Sequence, residues 1–133
     1  LLVGFKKKEE TVISYYEIVS NWGYEIVDWA TFGDWSGDYV YILRKGDSLG
    51  VSVFGYGSCS GCDALDGLEG LQNFDELVKS LSDSMLSQVR WYANAPAAIN
   101  HYNGKGSGAD WWEFDNEIRE WIIETLRNVE STS

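Results

Sequence analysis

Apolar residues recur at helical spacing in three stretches of this chain and alternate with polar ones in three stretches between them. In residues 9–22, Val12, Tyr15, Tyr16, Val19 and Trp22 fall on one helical face, with Glu9 and Glu10 in the first turn, where the helix dipole favours them. Gly23 closes that helix. Residues 24–32 read as a strand with Tyr24, Ile26, Ala30 and Phe32 on one face and Val27, Trp29 and Thr31 on the other. The run from Gly33 to Asp38 has turn chemistry, 39–44 is a second strand, the four residues Lys45-Gly46-Asp47-Ser48 make a tight connection, and 49–57 is a third strand. Connections this short between consecutive strands predict an antiparallel meander.

Beyond residues 57–67, read as a loop, Asn73 and Glu76 have the spacing of a capping box. The helix they open carries Val78, Leu81, Met85, Val89 and Tyr92 as one stripe, which makes Met85 a core residue. Residues 93–110 read as loop, with Pro96 near their start and Gly104, Gly106 and Gly108 forming a linker-like tip. Asp115 is placed to cap a last helix striped by Ile118, Trp121, Ile122, Leu126 and Val129, followed by a fraying tail at 130–133. Residues 111–114 are a candidate fourth, edge strand or an apolar entry to that helix. The expected fold is a single α+β domain over residues 1–133: a three-stranded antiparallel meander, extended to four if 111–114 pairs, packed against three helices in the order α-β-β-β-α-α.

A length of 133 residues suits one core. Charge narrows the function. The chain carries 21 acidic and 10 basic side chains, a formal charge of −11, and residues 46–133 hold −9 of it. Such a surface repels nucleic acid and anionic membranes directly and attracts a basic protein surface, including one built to hold nucleic acid. The 7 Trp, 8 Tyr and 5 Phe exceed what a core of this size needs, and partly exposed Trp and Tyr are typical interface anchors. No apolar run reaches the ~20 residues of a membrane span, and Leu1 to Phe5 is too short for a signal segment, which points to a cytoplasmic protein. Acid and aromatic coincide at Asp34, Trp35 and Asp38, at Asp110, Trp111, Trp112 and Glu113, and in the carboxylates Glu120 and Glu124 of the last helix. These are the candidate partner-binding residues. The Glu120–Glu124 pair is mildly self-repelling on one helix face, and a basic partner would relieve it.

The densest chemistry lies in Phe54-Gly55-Tyr56-Gly57-Ser58-Cys59-Ser60-Gly61-Cys62-Asp63-Ala64-Leu65. Cys59 and Cys62 form a C-x-x-C, for which four readings stay open. The cysteines can be small buried apolar residues in a glycine-rich strand-to-helix turn. They can ligate zinc, with His101 as the one histidine and a carboxylate or second subunit completing the set, so that a dimer would join two such loops. They can form a redox pair, although a meander is not the βαβ setting of that motif. Or Tyr56, Gly57, Ser58, Ser60 and Gly61 can cradle a small anion such as a nucleotide phosphate. His101 otherwise reads as a solvated loop histidine, no Ser or Cys nucleophile pairs with it, and no catalytic residue is assigned.

The run from Gly33 to Tyr39 and the string from Phe54 to Leu65 resemble a family of small bacteriophage and bacterial proteins with no assigned activity. The resemblance spans about residues 24–92 and implies a phage or mobile-element setting. By analogy with other small acidic phage proteins, it implies an inhibitor acting on host machinery. The expected function is a non-enzymatic, acidic, Trp-rich binding module for a basic protein surface.

Overall fold

A computed structural model of the chain describes residues 14–33, 37–56, 73–104 and 115–132. In chain order these form α1 (Tyr15–Ser20), β1 (Glu25–Gly33), β2 (Gly37–Lys45), β3 (Ser48–Tyr56), α2 (Phe74–Ser87), β4 (Arg90–Tyr92), α3 (Ala95–Asn103) and α4 (Asp115–Thr132). The strands make one antiparallel sheet in the order β1-β2-β3-β4. The α+β class and the meander of the first three strands are as expected. The fourth strand among the described residues is Arg90–Tyr92; the candidate strand at 111–114 lies outside them. The described residues hold four helices where three were expected.

Both sheet faces are covered. Val40, Ile42, Leu49 and Val51 pack against Ala98 and Tyr102 of α3 and Ile118, Ile122, Ile123, Leu126 and Val129 of α4. On the opposite face Tyr41 and Leu43 pack against Tyr15, Ile18 and Val19 of α1, Met85 of α2 and Val89 just beyond it. The molecule is thus three layers, with α1 and α2 on one side of the sheet and α3 and α4 on the other. β2 is buried on both sides, which its Tyr39-Val40-Tyr41-Ile42-Leu43 run permits. Each fully buried aliphatic side chain contributes roughly 1.5–3 kcal/mol relative to exposure.

Local chemistry explains the element ends. Ser14 caps α1: its Oγ accepts from the N–H of Glu17 at 3.2 Å, and its own N–H donates to Glu17 Oε1 at 3.1 Å. The helix expected over 9–22 therefore begins at Tyr15. At the β2–β3 hairpin Lys45 faces Ser48, and Gly46 alone takes a positive φ, 62°, as the first central residue of a type II′ turn does. The capping box expected at Asn73 does not form, because its side chain makes no cap hydrogen bond. Asp75 and Glu76 sit in the first turn of α2 instead.

Three expectations are corrected. The stripe assigned to α2 stops at Val89, since Tyr92 belongs to β4 and joins the core of the other face. Residues 95–103, expected as loop, are helical. Asn94 Oδ1 accepts from the N–H of Ala97 at 2.9 Å, Pro96 stands in the first turn, and the Ala95, Ala98 and Tyr102 face is buried in α3. The last helix spans Asp115–Thr132, with Asp115 as its first residue. In β1 the register slips between Ile26 and Asp28. This bulge inverts the alternation, so Tyr24 and Ile26 share the α1–α2 side with Trp29, while Val27 and Phe32 pack on the α3–α4 side.

Candidate functional site

The sheet face under α1 is built of rings. β1, β2 and β3 place Trp29 opposite Tyr41 and Tyr39 opposite Phe54. The Trp29 indole stacks on Tyr41 at 5.7 Å between centroids and 13° between planes, and Tyr41 stacks on Phe54 at 5.9 Å and 4°. Tyr39 continues the array, 5.6 Å from Phe54 and 4.7 Å from Tyr56. α1 adds Tyr15, 5.0 Å from Phe54, and Tyr16, 5.8 Å from Trp29. Such pairs add roughly 0.5–1.5 kcal/mol each beyond area burial, and they hold one another's rotamers.

The array runs from core to water. Tyr41 is fully buried, whereas Trp29 keeps 42% of its surface and Tyr16 37%. The unpaired side of β1 is an outer edge of the sheet. There Asp28 Oδ1 accepts from the backbone N–H of Trp29 at 2.8 Å, so a carboxylate satisfies an edge donor and blunts the edge against a further strand. Glu25, mostly exposed, lies with Oε1 3.7 Å from Arg44 Nε. From residue 14 to residue 33 the chain carries Glu17, Glu25 and Asp28 and no Lys or Arg.

Burial, and then the neighbouring Tyr39 and Tyr16 phenols, raises the pKa of Tyr41 above that of a free phenol. Burial also raises that of Tyr102, helped by the adjacent Tyr92 phenol. The sign follows from proton binding. Above about pH 10 the unfolded chain loses these phenolic protons while the folded chain keeps them. Stability is therefore full below pH 10 and falls above it, by roughly 1.4 kcal/mol per pH unit for each tyrosine. Urea midpoints measured from pH 8 to 11.5 are expected to be flat up to about pH 10 and then to fall. A midpoint unchanged through pH 11 would contradict the burial of both hydroxyls.

The residues singled out in the sequence are distributed as follows. Asp38 is fully buried on the face of β2 turned toward α3 and α4, with Phe32 and Gly55 as its strand partners, so it is not available to a partner protein. Glu120 and Glu124 are exposed on α4. They line a groove of about 440 Å³ with Arg119 and Arg127. Tyr56 donates its Oη–H to the Gly33 carbonyl at 3.1 Å and packs in the ring array. His101 is no loop residue. It sits in α3, half-buried, 5.4 Å from the Tyr92 ring and 4.9 Å from that of Tyr102. Its Nε2 lies 3.4 Å from Arg90 Nη1, and a guanidinium there disfavours a metal cation. Among the described residues no three His, Cys, Asp or Glu side chains converge as ligands would. Asp34, Trp35, Gly57, Ser58, Cys59, Ser60, Gly61, Cys62, Asp110, Trp111, Trp112 and Glu113 lie outside the described residues.

Gly33, Gly37 and Tyr56 are successive partners across three strands, so the chain enters residue 34 and leaves for residue 57 at the same end of the sheet. The exposed Trp29–Tyr16 pair was not singled out in the sequence. Trp29 was assigned to a strand face but not to a site, and only the register sets it on Tyr41.

A second cleft, about 520 Å³, separates α1 from α2. Its walls are joined by Trp22 Nε1 donating to Ser82 Oγ at 2.8 Å, and its lysine, Lys79, is paired with Asp83 at 2.9 Å. Among the described residues no helix is long and apolar enough to cross a membrane. No protein-family model, curated protein or solved structure matches the chain.

Proposed function

We propose that this protein is a small acidic binding module, without chemistry of its own, that occupies a basic surface on a partner protein. One observation carries this reading. An exposed aromatic pair, Trp29 and Tyr16, is held rigid over a buried ring array, in a stretch of chain that bears three carboxylates and no cation. Rigid aromatic anchors supply contact area with little ordering entropy, and the net charge of −11 steers association with a basic surface. Crowded carboxylates at the same surface suit a partner that otherwise holds nucleic acid. The phage setting implied by the glycine–cysteine string makes a host nucleic-acid-handling or defence protein the target we propose, met in the host cytoplasm.

The test is titration calorimetry against purified host nucleic-acid-binding proteins with basic surfaces, at about 50 mM and 300 mM salt. At least one is expected to bind, with a Kd that rises roughly tenfold or more over that range and with double-stranded DNA as competitor. Binding that is indifferent to salt, or that coexists with bound DNA, would remove the charge-driven part of the proposal.

A further inference from the structure

We infer that Trp29 and Tyr16 form a receptor for an arginine side chain of the partner. This rests on the preceding reading and specifies its contact. The inner face of the indole is taken by Tyr41, and the ring still keeps 42% of its surface in water. Tyr16 stands 5.8 Å away at 59° to the indole, so the two rings form an open angle rather than a closed stack. The faces of both rings are electron-rich, and of the aromatic side chains Trp attracts a cation most strongly.

The chain itself contrasts this pair with another aromatic on the same side of the sheet. Tyr24 is covered by a cation of its own chain, with Lys45 Nζ 5.7 Å from the ring centroid. Among the described residues no lysine or arginine covers Trp29 or Tyr16. The nearest charge in sequence is negative: Asp28 is bonded to the backbone N–H of Trp29 at 2.8 Å, and Glu17 follows Tyr16. A cation from outside would meet two π faces and a negative field, with no cation among the described residues to displace.

Arginine fits better than lysine. A guanidinium is planar, stacks flat on an indole and is more weakly hydrated than an ammonium, so less solvation is lost on docking. The receptor is also set in advance. The Trp29 indole is held by Tyr41 beneath it, so less rotamer entropy remains to be lost on binding.

The probe is a synthetic peptide of alternating arginine and glycine. Its control has citrulline, which is neutral and nearly isosteric, in place of arginine. Both are titrated at about 50 mM salt into wild-type protein, Trp29→Leu, Tyr16→Ala and Glu117→Gln, the last removing an exposed carboxylate of α4 on the other side of the sheet. The arginine peptide is expected to bind and the citrulline peptide to bind at least tenfold more weakly. Trp29→Leu should weaken the arginine peptide roughly five- to tenfold and Tyr16→Ala roughly twofold. Glu117→Gln should change binding less than twofold. The indole N–H resonance of Trp29 in the wild-type protein, assigned by its loss in Trp29→Phe, should shift with the arginine peptide; it needs no variant to keep its fold during the titration.

If the arginine peptide binds, but Trp29→Leu stays within twofold of wild type and the resonance does not move, the receptor is elsewhere. The inference then falls while the broader reading stands. Equal binding of the citrulline peptide makes the contact apolar and also overturns the inference. If neither peptide binds and no basic protein binds, both the inference and the broader reading fall.

Discussion

Replacing Gly37 with alanine is expected to cost about 3 kcal/mol of folding stability. A Cβ at this position would collide with the Phe32 carbonyl oxygen and fall 2.8 Å from its carbon and 3.0 Å from Gly33 Cα. All three atoms are backbone, so no side chain can swing away to make room. The ends of β1 and β2 would have to part, breaking the pairing of Phe32 with Asp38 and of Gly33 with Gly37. The Tyr56 Oη bond to the Gly33 carbonyl would go with them, and buried Asp38 would meet water. Urea unfolding would measure the loss, and the melting temperature should drop by roughly 10 °C for a domain of this size. Gly46→Ala is the control. Its φ of 62° is strained for alanine, but nothing lies within 4 Å of the added carbon, so about 1 kcal/mol is expected. Equal losses in the two variants would mean that the chain around Phe32 yields easily and that the close approach is not binding on the fold.

Tyr41 should give opposite signs for two substitutions. Its Oη is buried without a hydrogen-bond partner among the described residues. Removing the hydroxyl in Tyr41→Phe deletes an unpaid desolvation and keeps the ring, so a gain of about 1 kcal/mol is expected. Tyr41→Ala removes the ring between Trp29 and Phe54 and should cost about 3–5 kcal/mol. The floor under Trp29 would be lost with it. At a temperature where the alanine variant is still folded, arginine-peptide binding should therefore weaken about as much as in Trp29→Leu, while Tyr41→Phe binds as wild type does. A destabilised Tyr41→Phe would mean that the hydroxyl has a partner after all, such as an ordered water.

The three consecutive strands and the stripes of α2 and α4 were legible because each depends on residues within a few positions. Alternation in 49–56, the spacing of Val78, Leu81 and Met85, and that of Ile118, Ile122, Leu126 and Val129 carry their own period. Two helix starts were equally local yet went unread. Ser14 with Glu17 is a capping box, and Asn94 with Pro96 behind it is a helix entry, but alanine, proline and glycine nearby gave 93–110 the composition of a loop. The bulge at Val27 was not legible. No residue there advertises an extra position, and one such residue inverts every face assignment before it.

The candidate site divides along the same line. Acidity, aromatic excess and the lack of basic residues between 14 and 33 are properties of the chain alone, and the proposed preference for a basic partner rests on them. Which acids and rings reach the surface is decided by contacts between residues far apart in sequence. Asp38 stands in a turn-rich run and reads as exposed, yet α3 and α4, more than fifty residues later, close over its face of the sheet. Trp29 reads as one of several strand aromatics, yet the β1–β2 register sets it on Tyr41 at an edge that nothing among the described residues covers. Periodicity and capping are set by neighbours one helical turn or one pleat away, and so they are written in the sequence. Burial is set by whichever distant surface arrives to displace water, and only the folded chain brings that surface into place.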